Sequence, residues 1–409
     1  MTTPVAIRTP AGPKPGFRPV PVERRRRRRV QLVWAMLTLN VLTFFPDSRL
    51  LLPIPGSVGK LIAQGSLLVA AMLVLSVNRP VRVRRSVYMF LAALLVCEAV
   101  VSSMHAEFLL GAMYRSARLF LFVAVLWMLS PWWTRKDLLL VRTHLKVLWF
   151  VIGTIALGLL VSPGTAMADN RLAGIIWPIP PTQAGHYSAM AIGLTAVLWM
   201  SGVLKRWVAL TSVVVCVPVL LLTHTRTALV ALLAGALIAG LSLFTYRSRV
   251  RKVFAIGIGV FSVGTLTLSS VVTTWLARGQ DASQVAALTG RRAVWDSILA
   301  QPRSTFETLF GFGLSNKSFN GLPIDSNWLG TYYDVGVLGA VFCIAMVLFV
   351  LIAAWFTPQG PRRALALFLV AYCVVASFTE TGLSEASSYL LELTLAASLV
   401  YSRTPQEDT

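Results

Sequence analysis

Apolar runs of ~17–22 residues follow one another along almost the whole chain, and that is the length a bilayer core asks of a helix. They fall near 30–45, 58–77, 86–104, 116–130, 143–161, 183–201, 207–223, 226–244, 253–273, 326–356, 364–380 and 386–402. These runs predict an all-α polytopic membrane protein with about 12 transmembrane helices. Composition points the same way. Only 13% of the 409 residues are charged and 56% are hydrophobic, whereas soluble domains carry about a quarter charged residues. The formal charge of +21 would suggest nucleic acid in a soluble protein. Here much of the excess sits in short loops between apolar runs, so no nucleic-acid partner is expected and membrane lipids are.

Loop charge gives the orientation. With the amino terminus inside, the inner loops hold Arg79, Arg82, Arg84 and Arg85, then Arg135, Lys136 and Arg142. Lys205 and Arg206 follow, then Arg247, Arg249, Arg251 and Lys252, and finally Arg362 and Arg363. Every inner loop is basic, as positive-inside orientation requires, and one helix more or less would break the alternation. Residues 1–29, rich in Pro, Gly and Arg, read as a disordered basic cytoplasmic arm. Residues 30–402 form the transmembrane bundle, with external loops 162–182 and 274–325. Residues 403–409 form a cytoplasmic tail, so both termini are placed inside.

The one long polar interval, Leu288 to Gly339, is the natural place for chemistry. It carries Arg291 and Arg292, a turn cluster at Gly311, Phe312 and Gly313, and Asp325 just before hydrophobicity resumes. Within it, Gly290 to Leu299 has apolar residues at Val294, Ile298 and Leu299, the spacing of a short amphipathic helix on the membrane surface. The four cysteines lie scattered inside apolar runs and the four histidines are equally dispersed. No metal site and no cofactor is expected.

Orientation leaves some charge on the wrong face. Arg171 lies in one external loop, Arg226 in the short Thr223–Arg226 connection, and Arg291 and Arg292 in the long loop. Any one arginine at a helix end can simply snorkel to the interface. Together they form a set whose guanidinium forks suit phosphate oxygens, and His224 adds a donor beside Arg226. Positive charge placed where a diphosphate leaving group gains negative charge stabilises the transition state. Asp325 has two readings at this stage. It is either a helix cap or a carboxylate placed to take a proton from an acceptor. Glu98, Glu380, Glu385 and Glu392 read first as ion-pairing groups inside the bundle.

Three stretches carry a family resemblance: RLAGIIWPIPPTQAGHY from Arg171, THTRTALVALLAGAL from Thr223, and TGRRAVWDSIL from Thr289 followed by FGFGLSN from Phe310. In order and spacing they resemble the O-antigen ligase / O-antigen polymerase family of bacterial membrane glycosyltransferases. The resemblance implies a GT-C-like fold in the bacterial cytoplasmic (inner) membrane. It also implies metal-independent transfer of a glycan from a polyprenyl-diphosphate carrier of the undecaprenyl type to a hydroxyl acceptor, a glycan or a lipid, on the outer face. Arg226 and Arg291 match the family's two essential arginines. Asp325 would act on the acceptor, Arg171 and Arg292 would support, and His224 and Asn327 would join the substrate-binding set.

One departure stands out. Many members have a His-Asn pair eleven and ten residues before a Gly that follows an acid by two. Counting back from Gly336, Asp334 supplies the acid, but Asp325 and Ser326 stand where the pair would be. The alternative function is a transporter or flippase of an anionic lipid-linked glycan. Such folds often carry duplicated, broken helices, and no repeat stands out here.

Overall fold

The computed structural model describes residues 21–44, 50–51, 54–133, 138–167, 170–245, 247–257, 259, 275, 291–315 and 318–401. The helices are α1 (Pro21–Val41), α2 (Gly56–Val77), α3 (Val87–Ser103), α4 (Leu109–Met128), α5 (Leu139–Val161), α6 (Pro163–Ala166), α7 (Pro181–Met200), α8 (Arg206–Leu222) and α9 (Arg226–Phe244). After them come α10 (Arg291–Ala300), α11 (Thr305–Phe310), α12 (Asn327–Phe356), α13 (Pro361–Ala376) and α14 (Ser388–Val400). One two-residue hairpin, Ser318–Phe319 against Leu322–Pro323, is the only sheet among the described residues. Among those residues, five helices are long and apolar enough to cross a membrane: α2, α4 with the turn after it, α5, α9 and α12. Three shorter apolar helices, α3, α8 and α14, accompany them.

Helix α13 sits at the centre. From Ala364 to Cys373 every residue is buried, because this stretch is apolar on all sides and has no polar face to turn to water. Its Phe368 is seated against Gly193 of α7 and Gly235 of α9, where a Cβ would meet the ring. Small residues at these crossings let the helices close on the aromatic ring. The outward faces are apolar too: Leu61, Leu233 and Phe356 are all well exposed, as helices facing lipid require.

Two expectations change in detail. Residues 21–29, read as part of a disordered arm, form the first turns of α1. Arginine is a good helix former, Arg27 pairs with Glu23 one turn away, and Arg26 donates from Nη2 to Val77 O at 3.0 Å. Residues 1–20 and 402–409 lie outside the described residues, as do 258 and 260–273 of the ninth apolar run and 274 and 276–290 of the long loop. The amphipathic helix forms as α10, with Val294 and Ile298 buried, but Leu299 is 62% exposed and takes no part in the apolar face.

The polar segment is fastened to the bundle through its backbone. Helix α12 breaks at Val335 and Gly336, where Gly336 takes φ of 64°. The carbonyls freed by the break do not stay empty. Tyr333 O accepts from Phe312 N at 3.0 Å and Asp334 O from Gly313 N at 2.9 Å. Ser102 of α3 adds a third tie, donating to Asp334 O and accepting from Gly313 N at 2.8 Å. At both contacts only glycine fits: a Cβ on Gly336 would sit 2.3 Å from Leu309 O, and one on Gly311 2.5 Å from Asp334 O.

Candidate active site at one end of the bundle

The segments bearing Arg171, Arg226 and Arg291 meet at one end of the bundle, around the connection between α13 and α14. Arg171 follows a short turn and donates from Nε to Thr223 O at 3.0 Å. The next residue, Leu172, donates its N–H to Leu222 O. Thus the 162–180 loop is bound to the end of α8. The Nη2 atom of Arg171 is buried without a hydrogen-bond partner among the described residues. Burial lowers the pKa of this guanidinium, and the charge of Glu380 opposes that shift.

The Thr223–Arg226 turn is short because His224 takes φ of 51°. Its ring stacks on Trp275, centroids 5.6 Å apart. Arg226 opens α9, half-buried. Its neighbour Thr227 lies 2.6 Å, Oγ1 to Oγ1, from Thr379, the residue before Glu380.

Arg291 opens α10 and donates from Nε to Asp325 Oδ2 at 2.9 Å. The cap position of α12 belongs to Ser326, and Asp325 turns to the arginine instead. Asn327 is buried in a holding role: its Oδ1 accepts from Gly382 N at 3.1 Å and Leu383 N at 2.8 Å. It anchors the loop that carries Glu380. Arg292, by contrast, is not brought in. Its side chain is 72% exposed, 3.9 Å from Asp296 one turn along α10.

The residue that sequence reading underweighted is Glu380. It lies beyond the end of α13, and its carboxyl is pushed up to about 7. Burial is the main cause, and the charge of Asp325 adds to it, while Arg291, His186 and Arg171 pull the other way. All four groups therefore act on one carboxylate. Glu380 also lines a polar cavity of about 390 Å³, together with Asn40, Arg118, Gln183, His186 and Glu385. In its wall, His186 places Nε2 2.9 Å from Glu392 Oε1 and Nδ1 3.0 Å from the Tyr372 hydroxyl. His144 stands 3.7 Å from the same Glu392 oxygen on the far side.

A signal for Glu380 existed. The stretch FTETGLSEASSYL is a second polar interval with two glutamates about a glycine, but averaging hydropathy over a span absorbs Glu380 into the apolar run before it. Among the described residues no cluster of three His, Cys, Asp or Glu is arranged to hold a metal ion. The arrangement can bind an anion at the guanidinium groups and exchange a proton at a carboxyl beside them. Comparison of the sequence with protein-family models finds no match, and comparison with curated proteins finds none either.

Proposed function

We propose that this chain is a membrane glycosyltransferase that moves a glycan from an undecaprenyl-diphosphate-type carrier to a hydroxyl acceptor, on the outer face of a bacterial cytoplasmic membrane. In this reading about 12 helices span the bilayer and both termini are cytoplasmic. The single observation that carries it is that the segments bearing the arginines are joined around the loop that carries Glu380: Arg291 bonds Asp325, Asn327 bonds Gly382, Thr227 meets Thr379 and Arg171 bonds Thr223. Arg226, at a helix N-terminus where negative charge is favoured, and Arg291 hold the diphosphate. As the glycosidic bond to the diphosphate breaks, its oxygens gain charge that the guanidinium groups stabilise. The acceptor hydroxyl attacks the sugar carbon, and its proton passes to a carboxylate.

Of the two carboxylates, Glu380 is the better placed for that proton. A group half-ionised near neutral pH combines availability with basicity, and Asp325 is held by Arg291. Asp325 then keeps Arg291 in register until diphosphate replaces it as the partner. Transport of the same lipid-linked substrate remains the rival. Loss of the gene followed by analysis of carrier-linked glycans tests the two: glycan accumulating on carrier at the outer face supports transfer, and glycan trapped on the inner face supports transport.

A further inference from the structure

Glu392 is a buried acid that the chemistry proposed at Glu380 leaves unused. Its carboxyl lies one turn into α14, fully buried, and no arginine or lysine among the described residues pairs with it. Its ion-pair partners are His186 of α7 and His144 of α5, both buried and both facing Oε1, at 2.9 and 3.7 Å. Its Oε2 is buried with no hydrogen-bond partner among the described residues. An isolated carboxylate in such a place is costly, so it takes up a proton or sits beside a protonated partner. Histidine supplies that counter-charge only with a proton on both ring nitrogens.

His144 is barred from doing so. Trp34 Nε1, which can only donate, points its hydrogen at His144 Nδ1 from 3.3 Å. Nδ1 is therefore an acceptor, and the proton of His144 sits on Nε2, facing Glu392. That leaves His186, whose Nδ1 lies 3.0 Å from the Tyr372 hydroxyl. With the hydroxyl donating, the ring is neutral and a proton belongs on Glu392. With the hydroxyl accepting, the ring is an imidazolium and Glu392 a carboxylate. Either way the His186–Glu392 pair holds one proton beyond two neutral rings. The other titratable groups that feel Glu392, Tyr187, Cys373 and Tyr389, bring no positive charge.

The pair has one edge on the polar cavity. His186 lines it, as do Glu380 and Ser388, the latter one turn before Glu392. Trp34 lies six residues before Asn40, another lining residue, so it closes the cluster about 9 Å along α1 from the cavity wall, at ~1.5 Å per residue. A polar cavity of about 390 Å³ has room for water, which carries protons to His186 from that side. On the other side an indole N–H has no lone pair with which to pass one on.

We propose that His186 and Glu392 form a one-proton store in the core of the bundle, filled and emptied through the polar cavity and closed behind by His144 and Trp34. Acids and histidines inside a membrane bundle mark proton relays, and this relay is a dead end. A proton passed to a carboxylate in the cavity leaves His186 neutral beside a charged Glu392, and it returns when the cavity group ionises. Nothing in this depends on the transferase reading, and either can fail while the other stands.

The test uses the full-length protein in detergent with 15N-labelled histidine. The chain has four histidines, so each signal is assigned by one His→Gln substitution. His144 should keep the neutral Nε2–H form, and an Nδ1–H form would overturn the closed end. Either His186 should be an imidazolium, or the infrared spectrum should show a protonated carboxylic acid that Glu392→Gln removes. A carboxylate between two neutral rings, or both protonations together, overturns the store. Should Glu392→Gln not fold, Glu392→Asp keeps a carboxyl, moves its band and makes the assignment. In heavy water the stored proton should exchange, and Thr182→Phe in the cavity wall should slow that by ~10-fold or more. An unchanged rate rejects the cavity as the route. In sealed proteoliposomes an imposed pH gradient should decay no faster than in protein-free vesicles. Faster decay that Glu392→Gln abolishes would make the cluster a path across the bundle and reject the dead end.

Discussion

Arg291 and Asp325 stand 34 positions apart in the chain and 2.9 Å apart in space, Nε to Oδ2. The pair ties the first residue of α10 to the approach of α12, at a place where both side chains still reach water: 26% of one and 37% of the other is exposed.

Half-exposed pairs of this kind are worth about 0–1 kcal/mol. Asp325→Asn should therefore barely move the thermal midpoint in detergent. Transfer should fall while carrier-lipid binding is kept, because Arg291 loses the partner that orients it. A large loss of stability would mean that the pair holds the fold rather than the site.

Glu380→Gln should be the more damaging change for turnover, by roughly 10²–10⁴-fold, as removal of a proton acceptor requires. The wild-type rate should rise with pH through about 7, where the Glu380 carboxyl ionises, and level above it. The glutamine variant should lack that step. The stability effect has the same origin and the opposite sense for the wild type. Its folded pKa is raised, so the folded state binds the extra proton, and stability present at low pH is lost as pH climbs through about 7. The ratio of midpoints, variant to wild type, should therefore grow between acid and alkaline buffer. A pH-independent ratio and unaltered rate would remove Glu380 from the chemistry.

Arg226→Lys keeps the charge and loses the planar fork. Protein levels should be normal and transfer impaired. Arg292→Lys should match the wild type, since Arg292 lies exposed beside Asp296. Equal activity in all three proteins would exclude a diphosphate clamp at Arg226.

Gly336→Ala places a Cβ 2.3 Å from Leu309 O at φ of 64°. Strain and the forced retreat of the 309–313 segment should cost about 1–3 kcal/mol. Limited proteolysis should then cut the 300–323 region sooner than in wild type. Equal cleavage rates would show that the segment does not depend on the break in α12.

Orientation is checked by single cysteines in a cysteine-free background. Thr165→Cys and Asn320→Cys should label from the outside, and Ser248→Cys only after permeabilisation. External labelling at 248 would break the twelve-helix arrangement and the shared outer face.

What the sequence discloses depends on the contrast between a residue and its surroundings. Arg226 stands out because a guanidinium between two long apolar runs needs a reason, and Arg291 because it lies in the one long polar interval of the chain. Glu380 was obscured by the same averaging that finds helices, since one acid at the edge of a run hardly shifts a mean. Asp325 had two readings because a helix cap and a proton-accepting carboxylate ask for the same side chain at the same place. Its pairing with Arg291 depends on where α10 lies, 34 residues back, and local reading has no access to that. Asn327 could be singled out by its neighbourhood, but its partners at Gly382 and Leu383 lie 55 and 56 residues on, and local reading has no access to them. Arg24 to Arg29 illustrate the reverse difficulty: composition suggests disorder where a following apolar helix recruits the arginines into its first turns.

The break at Val335–Gly336 also bears on how the protein is made. As one rod, the 30 residues of α12 would reach about 45 Å, well beyond a ~30 Å hydrocarbon core. Residues 337–356 alone give about 30 Å. Residues 337–356 are therefore long enough to cross such a core without the part of α12 before the break. Before it, the carbonyls of Tyr333 and Asp334 are completed by Phe312 and Gly313, from a segment that emerged earlier. In this protein the loop is synthesised first and the helix that closes it arrives second, so assembly of that end of the bundle waits on the arrival of α12.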